Sequence, residues 1–357
     1  MMIAFPLLAT AALALAQEVA ATGEPARIAE VVQEHMHDPG AVGLSVAVAR
    51  GAEFVYSKAH GSADLEFAIP ADEQTMFRIG SVTKQFTATA ILKLAERGKL
   101  SVDDPLTRFL PDYPTHGHEL TLRHLLTHTG GVPSYTNLGP KWEVNIAREL
   151  PDEELVALWK DLPPDFAPGE KWSYSNSGYY LLGMVVAKVS GKSYADFLRE
   201  TFFEPLELAR TRYDSNSEVI PNRAQGYAFE DGELANDGLI GMSQPGAAGA
   251  LISTAGDLVR WQQALVSGRV VKPESYEEMT LPFLLANGRE TSYGLGLSLD
   301  QQAGQRCVWH GGGINGFNSV LLYFPDAQLH VAVISNSERL RADALGLAIA
   351  EALLGPK

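Results

Sequence analysis

The sequence predicts an α/β (α+β) fold: an antiparallel sheet flanked by helices and built from both chain termini, with an all-helical region inserted between them. Three observations point there. Strand-like apolar runs gather at 42–57 and again at 293–334. Between them, apolar residues recur with a helical period. Neighbouring strand runs are joined by tight turns rather than long crossovers, so they pair antiparallel. The expected division is 17–80 with 251–357 for the sheet part, and 81–250 for the largely helical part.

Met1–Ala16 is apolar and uncharged, and Ala14-Leu15-Ala16 before Gln17 has the small-x-small form of a signal-peptidase site. A signal peptide is expected, and with it a periplasmic or secreted protein; an N-terminal membrane anchor is the alternative. No later apolar run approaches membrane-spanning length. Pro25–His37 reads as an amphipathic helix. Val42–Ala49 and Ala52–Ser57 read as strands, with Arg50-Gly51 as a tight hairpin. From Ser81 to about Arg97, the residues Val82, Phe86, Ala90 and Leu94 mark a helix. Ile91, Leu92 and Ala95 widen the stripe over most of the circumference, so this helix should be buried. Ser81 is expected to cap its free N–H groups. Thr121 should cap a short helix, Leu122–Thr127, ending at Gly130-Gly131.

The stretch from Gly131 to Trp172 is rich in Pro, Asp and Gly, with one helix near Pro151–Lys160. Loops of this length often line a site. Helices follow at Gly178–Val189, at Tyr194–Phe203, and from Ser253 to about Leu265. Tyr293–Leu297, Cys307–His310, Phe317–Phe324 and Leu329–Ile334 read as strands, the last two joined by the turn Pro325–Gln328. Arg339–Leu354 closes the chain as an amphipathic helix.

Composition narrows the function. The chain has 357 residues, 46% of them hydrophobic, which is enough to bury a substantial core. A formal charge of −15 with no Lys/Arg cluster excludes a nucleic-acid partner, which would need a basic face. The partner expected is a small-molecule or peptide substrate; the oligomeric state is left open. The single cysteine, Cys307, cannot form an internal disulfide and reads as a structural strand residue. His124 and His128 have a metal-like spacing, but no acidic partner or third ligand accompanies them. Neither a metal nor a cofactor is expected.

Lys84 is the odd residue of the buried helix. It lies one turn in, far from the polar end marked by Lys93 and Arg97. Residues three apart on a helix share a face, so Lys84 can touch Ser81. A lysine held among apolar groups loses solvation, and its pKa falls. A neutral amine beside a hydroxyl is a base beside a nucleophile.

Two further elements follow in order: Tyr174-Ser175-Asn176 and His310-Gly311-Gly312. With Ser81-Val82-Thr83-Lys84, they resemble the S-x-x-K, Y-x-N and K-T-G elements of the serine β-lactamase and penicillin-binding superfamily. Met76–Gly80, Leu122–Gly130, Pro168-Gly169 and Ser253-Thr254-Ala255 are similar to the same family, so the resemblance covers nearly the whole mature chain. The Tyr form points to the branch of class C β-lactamases, D-alanyl-D-alanine carboxypeptidases, D-aminopeptidases and related esterases, which form a single catalytic unit.

The resemblance implies that Ser81 attacks a carbonyl to form an acyl-enzyme. Lys84 and Tyr174 would share the proton transfers, with the identity of the base left open. Asn176 would orient the substrate and the Lys84 amine. His310 and Gly312 would contribute to substrate binding, and the backbone N–H groups of Ser81 and Gly313 would form the oxyanion hole. The chain departs from K-T-G at two places: His310 replaces the Lys and Gly311 the Thr. A charged hydrogen bond is worth about 1.5–3 kcal/mol, so an anionic lactam should bind at least about tenfold more weakly. The preferred expectation is therefore a serine hydrolase of esters or D-amino-acid amides and peptides. The alternatives are a class C-like β-lactamase, or a slowly deacylating sensor or non-enzymatic wall-binding protein.

Overall fold

The computed structural model describes residues 23–355. The expected signal peptide lies outside the described residues. Among those described, no helix is long and apolar enough to cross a membrane.

The chain opens with helix α1 (Glu24–His35), strands β1 (Gly43–Arg50) and β2 (Glu53–Asp64), and short strands β3 (Ile69–Pro70) and β4 (Phe77–Arg78). Helix α2 (Thr83–Glu96) follows, then α3 (Leu122–Leu126) and α4 (Asn176–Ser190). Next come the short strands β5 (Arg212–Tyr213), β6 (Tyr227–Glu230), β7 (Glu233–Asn236) and β8 (Leu251–Ser253). Helix α5 (Ala255–Val266) leads to β9 (Ser298–Gln302), β10 (Gln305–Ile314), β11 (Phe317–Phe324), β12 (Leu329–Ser335) and the closing helix α6 (Ala342–Leu354).

The main sheet has seven strands in the order β3-β2-β1-β12-β11-β10-β9. Its centre joins the two ends of the chain. β1 and β12 pair antiparallel from Leu44↔Ser335 to Arg50↔Leu329. The expected antiparallel sheet built from both termini is what the chain forms. The inserted region is mainly helix and loop, but it also carries β5, β6 and β7.

Strand alternation divides the core in two. Leu44, Val46 and Val48 of β1, with Val331 and Val333 of β12, face α1 and α6. Ala47 and Ala49, with Ala332 and Ile334, face the other way. These small inner side chains let α5 lie close against β1 and β12. On that side α2 is buried along most of its length, from Thr83 to Leu92. Phe86 stacks on Trp261 of α5 with ring centroids 4.1 Å apart.

Two local expectations are corrected. Ser81 does not cap the helix. Gly80–Val82 form a 3₁₀ turn leading into α2, and no side-chain cap bond is present at either start. The Ser81 hydroxyl is thereby free for another partner. The alternating stretch Tyr293–Leu297 is not a strand; pairing with β10 begins at Ser298. Its glycines serve close approach instead. A Cβ at Gly296, where φ is +75°, would lie 2.8 Å from the Lys84 carbonyl and 2.9 Å from Ala88. A Cβ at Gly294 would lie 2.2 Å from the Met279 carbonyl. Gly296 lets the segment cross α2 where Lys84 sits, and Gly294 lets it lie against the backbone at Met279.

Candidate active site

The site is built at the start of α2, wedged between β10 and β8. The Ile79 carbonyl accepts a hydrogen bond from Ser319 Oγ (2.7 Å), and the Ile79 N–H donates to the Leu251 carbonyl (3.0 Å). Any Cβ at Gly312 would lie 2.1 Å from that same Ile79 carbonyl. Gly312 is thus what brings β10 against the Ser81 turn. At Gly80, φ is +47°, and a Cβ would lie 2.9 Å from Gly313 N. Backbone at 80–81 and at 313 therefore meet, as an oxyanion hole formed by the Ser81 and Gly313 N–H groups requires. A Cβ at Gly313 would meet no atom within 4 Å, so its missing side chain leaves open space over the strand.

Lys84 Nζ lies 3.1 Å from Ser81 Oγ, 2.8 Å from Asn176 Oδ1 and 2.8 Å from the Ala248 carbonyl. Lys84 is fully buried, and desolvation drives its pKa well below the usual 10.5. A neutral amine has two donors and one lone pair. In that form the two carbonyl oxygens would accept both donors and the lone pair would be left for the Ser81 hydroxyl. Asn176 is itself held in place. Its Nδ2 donates to Thr136 Oγ1 (3.1 Å), and its backbone N–H to Ser134 Oγ (3.1 Å).

Tyr174 flanks Ser81 on the other side. Its ring centroid lies 4.7 Å from Lys84 Nζ. Burial raises the phenol's pKa, and a hydrogen bond with Ser81 offsets this in part. Tyr174 is a neutral hydroxyl, not a phenolate. Ser175 opens α4, its Oγ accepting from the Gly178 N–H (3.2 Å).

Both histidines with the metal-like spacing have hydrogen-bonding roles. His124 completes a capping box with Thr121 at the start of α3. His128, at φ +58°, accepts the Ser175 N–H on Nδ1 (3.1 Å) and packs 4.2 Å from the Tyr174 ring. It anchors the Tyr174 loop, and its own pKa is depressed by burial and then by Lys84 and His310.

His310 lines the cleft beside Ser81. Its Nε2 lies 2.8 Å from the Tyr293 hydroxyl and its Nδ1 2.6 Å from the Gly311 carbonyl. The ring thus carries its proton on Nδ1, donating to the carbonyl, while Nε2 accepts from the tyrosine. Burial lowers its pKa to about 3. An unperturbed histidine at this position would gain charge with falling pH near neutrality. In the structure the ring is neutral, and both nitrogens are engaged.

Two cavities meet at Ser81. A wide cleft of about 450 Å³ is lined by Tyr174, Trp172, Tyr293, Trp309 and His310, with Arg341 and Asp343 among its residues. A narrow one of about 120 Å³ is lined by Asn176, Tyr135, Trp142, Ile240 and Ile314. Ser81 and Gly313 border both. Sequence reading missed Ser134, Thr136, His128, Tyr293 and the Ala248 carbonyl. Only His128 carried a signal, through its place in the Leu122–Gly130 stretch.

The profile of the β-lactamase family matches residues 28–355. The chain is 31% identical over 315 residues to penicillin-binding protein 4* of Bacillus subtilis, a match covering 82% of this chain and 68% of that one. Among solved structures, it is similar to an octameric penicillin-binding protein homologue from Pyrococcus abyssi. There the TM-score is 0.83 at 29% identity, over 94% of this chain and 78% of that chain. A D-amino acid amidase from Ochrobactrum anthropi SV3 superposes at TM-score 0.80 and 28% identity, over 93% of this chain and 98% of that chain. With its sheet and a profile match over nearly all described residues, the chain belongs to the β-lactamase family of serine hydrolases.

Proposed function

We propose that this protein hydrolyses esters or D-amino-acid amide and peptide bonds through an acyl-enzyme at Ser81, with little β-lactam turnover. One observation carries the reading. Lys84 is a fully buried amine within hydrogen-bond distance of the Ser81 hydroxyl and of two carbonyl oxygens, so that in its neutral form the lone pair is left for Ser81.

Lys84 takes the Ser81 proton as Oγ bonds to the substrate carbonyl carbon. The oxyanion forms against the Ser81 and Gly313 N–H groups; one such donor is worth about 3–4 kcal/mol of barrier. Tyr174, a neutral phenol beside Ser81, passes a proton to the leaving oxygen or nitrogen as its bond to carbon breaks, and is resupplied from Lys84. Water then adds to the acyl carbon and loses its proton to the same pair, and the acid departs as Ser81 regains its proton.

The weak-lactamase part rests on the third motif. A neutral His310 offers no cation to a drug carboxylate, and Gly311 offers no hydroxyl. The amidase likeness supports amide substrates as well as esters. The apolar leader at Met1–Ala16 supports export, and N-terminal sequencing of the exported protein should then begin at Gln17.

The test is turnover of a short-chain nitrophenyl ester and of a chromogenic cephalosporin, for native protein and Ser81→Ala. Ester turnover lost in Ser81→Ala, with slow cephalosporin turnover, is expected. Rapid cephalosporin turnover would make the protein a class C-like β-lactamase. Ester turnover unchanged by Ser81→Ala would overturn the nucleophile assignment.

A further inference from the structure

The two cavities at Ser81 are unequal, and the proton route assigns them. The substrate carbonyl oxygen must lie at the oxyanion hole, which borders both cavities. The acyl chain and the leaving group must then point to opposite sides. The leaving group needs a proton within hydrogen-bond reach of its donor. Tyr174 borders the wide cleft and not the narrow one. The leaving group therefore belongs in the wide cleft, and the acyl group beside Asn176.

We infer that the acyl group is compact, apolar and uncharged, and that it binds in the narrow pocket of Tyr135, Trp142, Ile240, Pro245 and Ile314. This rests on the reading of Ser81 as nucleophile and sharpens it to a substrate class. The pocket's polar lining is amide and hydroxyl only: Asn176, Asn315, Thr136 and Ser81 beside the Tyr135 phenol. No lining residue carries a charge. An acyl group with a free α-ammonium would enter without a counter-ion, which is costly in so apolar a space. Short-chain carboxylic esters fit, which selects the ester side of the function proposed above; acyl groups with a free α-ammonium do not. The wide cleft differs in kind. Arg341 and Asp343, paired at 2.6 Å, stand in its lining, so it accepts large polar alcohols or amines.

Ile240 is the residue through which to test this. It is buried, and its side chain is purely apolar. One methylene in an apolar pocket is worth about 10–200-fold in discrimination. The experiment measures kcat/KM for p-nitrophenyl acetate, butyrate and octanoate with the full chain, Ile240→Ala and Ile240→Phe. Ratios between esters cancel any difference in folded fraction. Native protein should favour butyrate over octanoate by about tenfold or more. Ile240→Ala should raise the octanoate-to-butyrate ratio by about fivefold or more, and Ile240→Phe should lower butyrate relative to acetate. A second arm compares the p-nitrophenyl esters of propionic acid and of glycine, which match in size and differ in the free ammonium, with the propionate expected to react faster. A profile unmoved by either Ile240 variant but shifted by Trp172→Ala would place the acyl group in the wide cleft and overturn the inference. Faster reaction of the free amine would also overturn it. Ester turnover that survives Ser81→Ala is a separate result, one that defeats the nucleophile reading instead.

Discussion

The two faces of the central sheet pack against cores of different character. The outer core, between the sheet and helices α1 and α6, is built from Ile28, Val32, Leu44, Val46, Val331, Val333, Leu345 and Ile349. Its titratable side chains are Cys307, whose thiol burial pushes up to about 12, and Tyr56, whose phenol burial also raises. The inner side, around α2, holds Lys84, His128, Tyr179, Tyr293 and His310, all buried, with Tyr174 partly so. Desolvation drives each toward its neutral form: the lysine and histidines down, the tyrosines up. The outer core keeps the sheet folded. The inner one accepts the cost of buried polar groups to hold an amine of lowered pKa beside Ser81.

That contrast can be broken at either side. The largest effect belongs to the inner core: Lys84→Met removes the proposed base and should lower kcat/KM for ester hydrolysis by about a thousandfold or more. Tyr174→Phe keeps the ring but loses the proton donor. Steady-state kinetics should show a loss of roughly 10²–10⁴-fold in kcat. On the outer side, Leu345→Ala should cost about 2–5 kcal/mol in denaturant unfolding. Its kcat/KM per folded molecule should stay at the native value, because Leu345 belongs to the outer core alone.

A smaller effect concerns pH. Lys84 is held below 10.5 in the folded state, whereas the unfolded lysine keeps its ordinary value. Below that ordinary value the unfolded chain binds the extra proton, so the folded state loses stability as pH falls. The penalty grows until the folded pKa is reached and then levels. The melting temperature of Lys84→Met should gain on the native protein as pH falls from about 10 toward 7. A constant difference across that range would contradict a depressed lysine.

The smallest expected effect is at His310. With its pKa near 3, it stays neutral through the physiological range. KM for a carboxylate-bearing substrate should show no His310-linked change between about pH 5 and 8. A KM that rises through about pH 6.5 in the native protein, but not in His310→Gln, would show that the ring does carry a cation.

Much of this was legible in the sequence, for reasons that can be named. The sheet was, because Phe317–Phe324 and Leu329–Ser335 are largely apolar and joined by a turn. Ser81 and Lys84 were, because their contact is local along one turn. Ala248 was not, since a backbone carbonyl that receives the lysine leaves no mark on residue identity. The Tyr293–Leu297 stretch misled because glycines alternating with apolar residues mimic a strand while serving close approach to the Met279 backbone and to α2. Ser134 and Thr136 reach Asn176 across about forty residues, and no short spacing reveals such a pairing.

The central claim is that Lys84 is neutral when Ser81 attacks. It is tested most directly by NMR titration of lysines carrying a ¹³C label at Cε, with the Lys84 signal assigned by its loss in Lys84→Met. One lysine should titrate well below 10.5, with the acid limb of kcat/KM for ester hydrolysis following the same curve. A Lys84 signal that titrates at or above 10.5 would mean a charged amine beside Ser81, and the base assignment would fall.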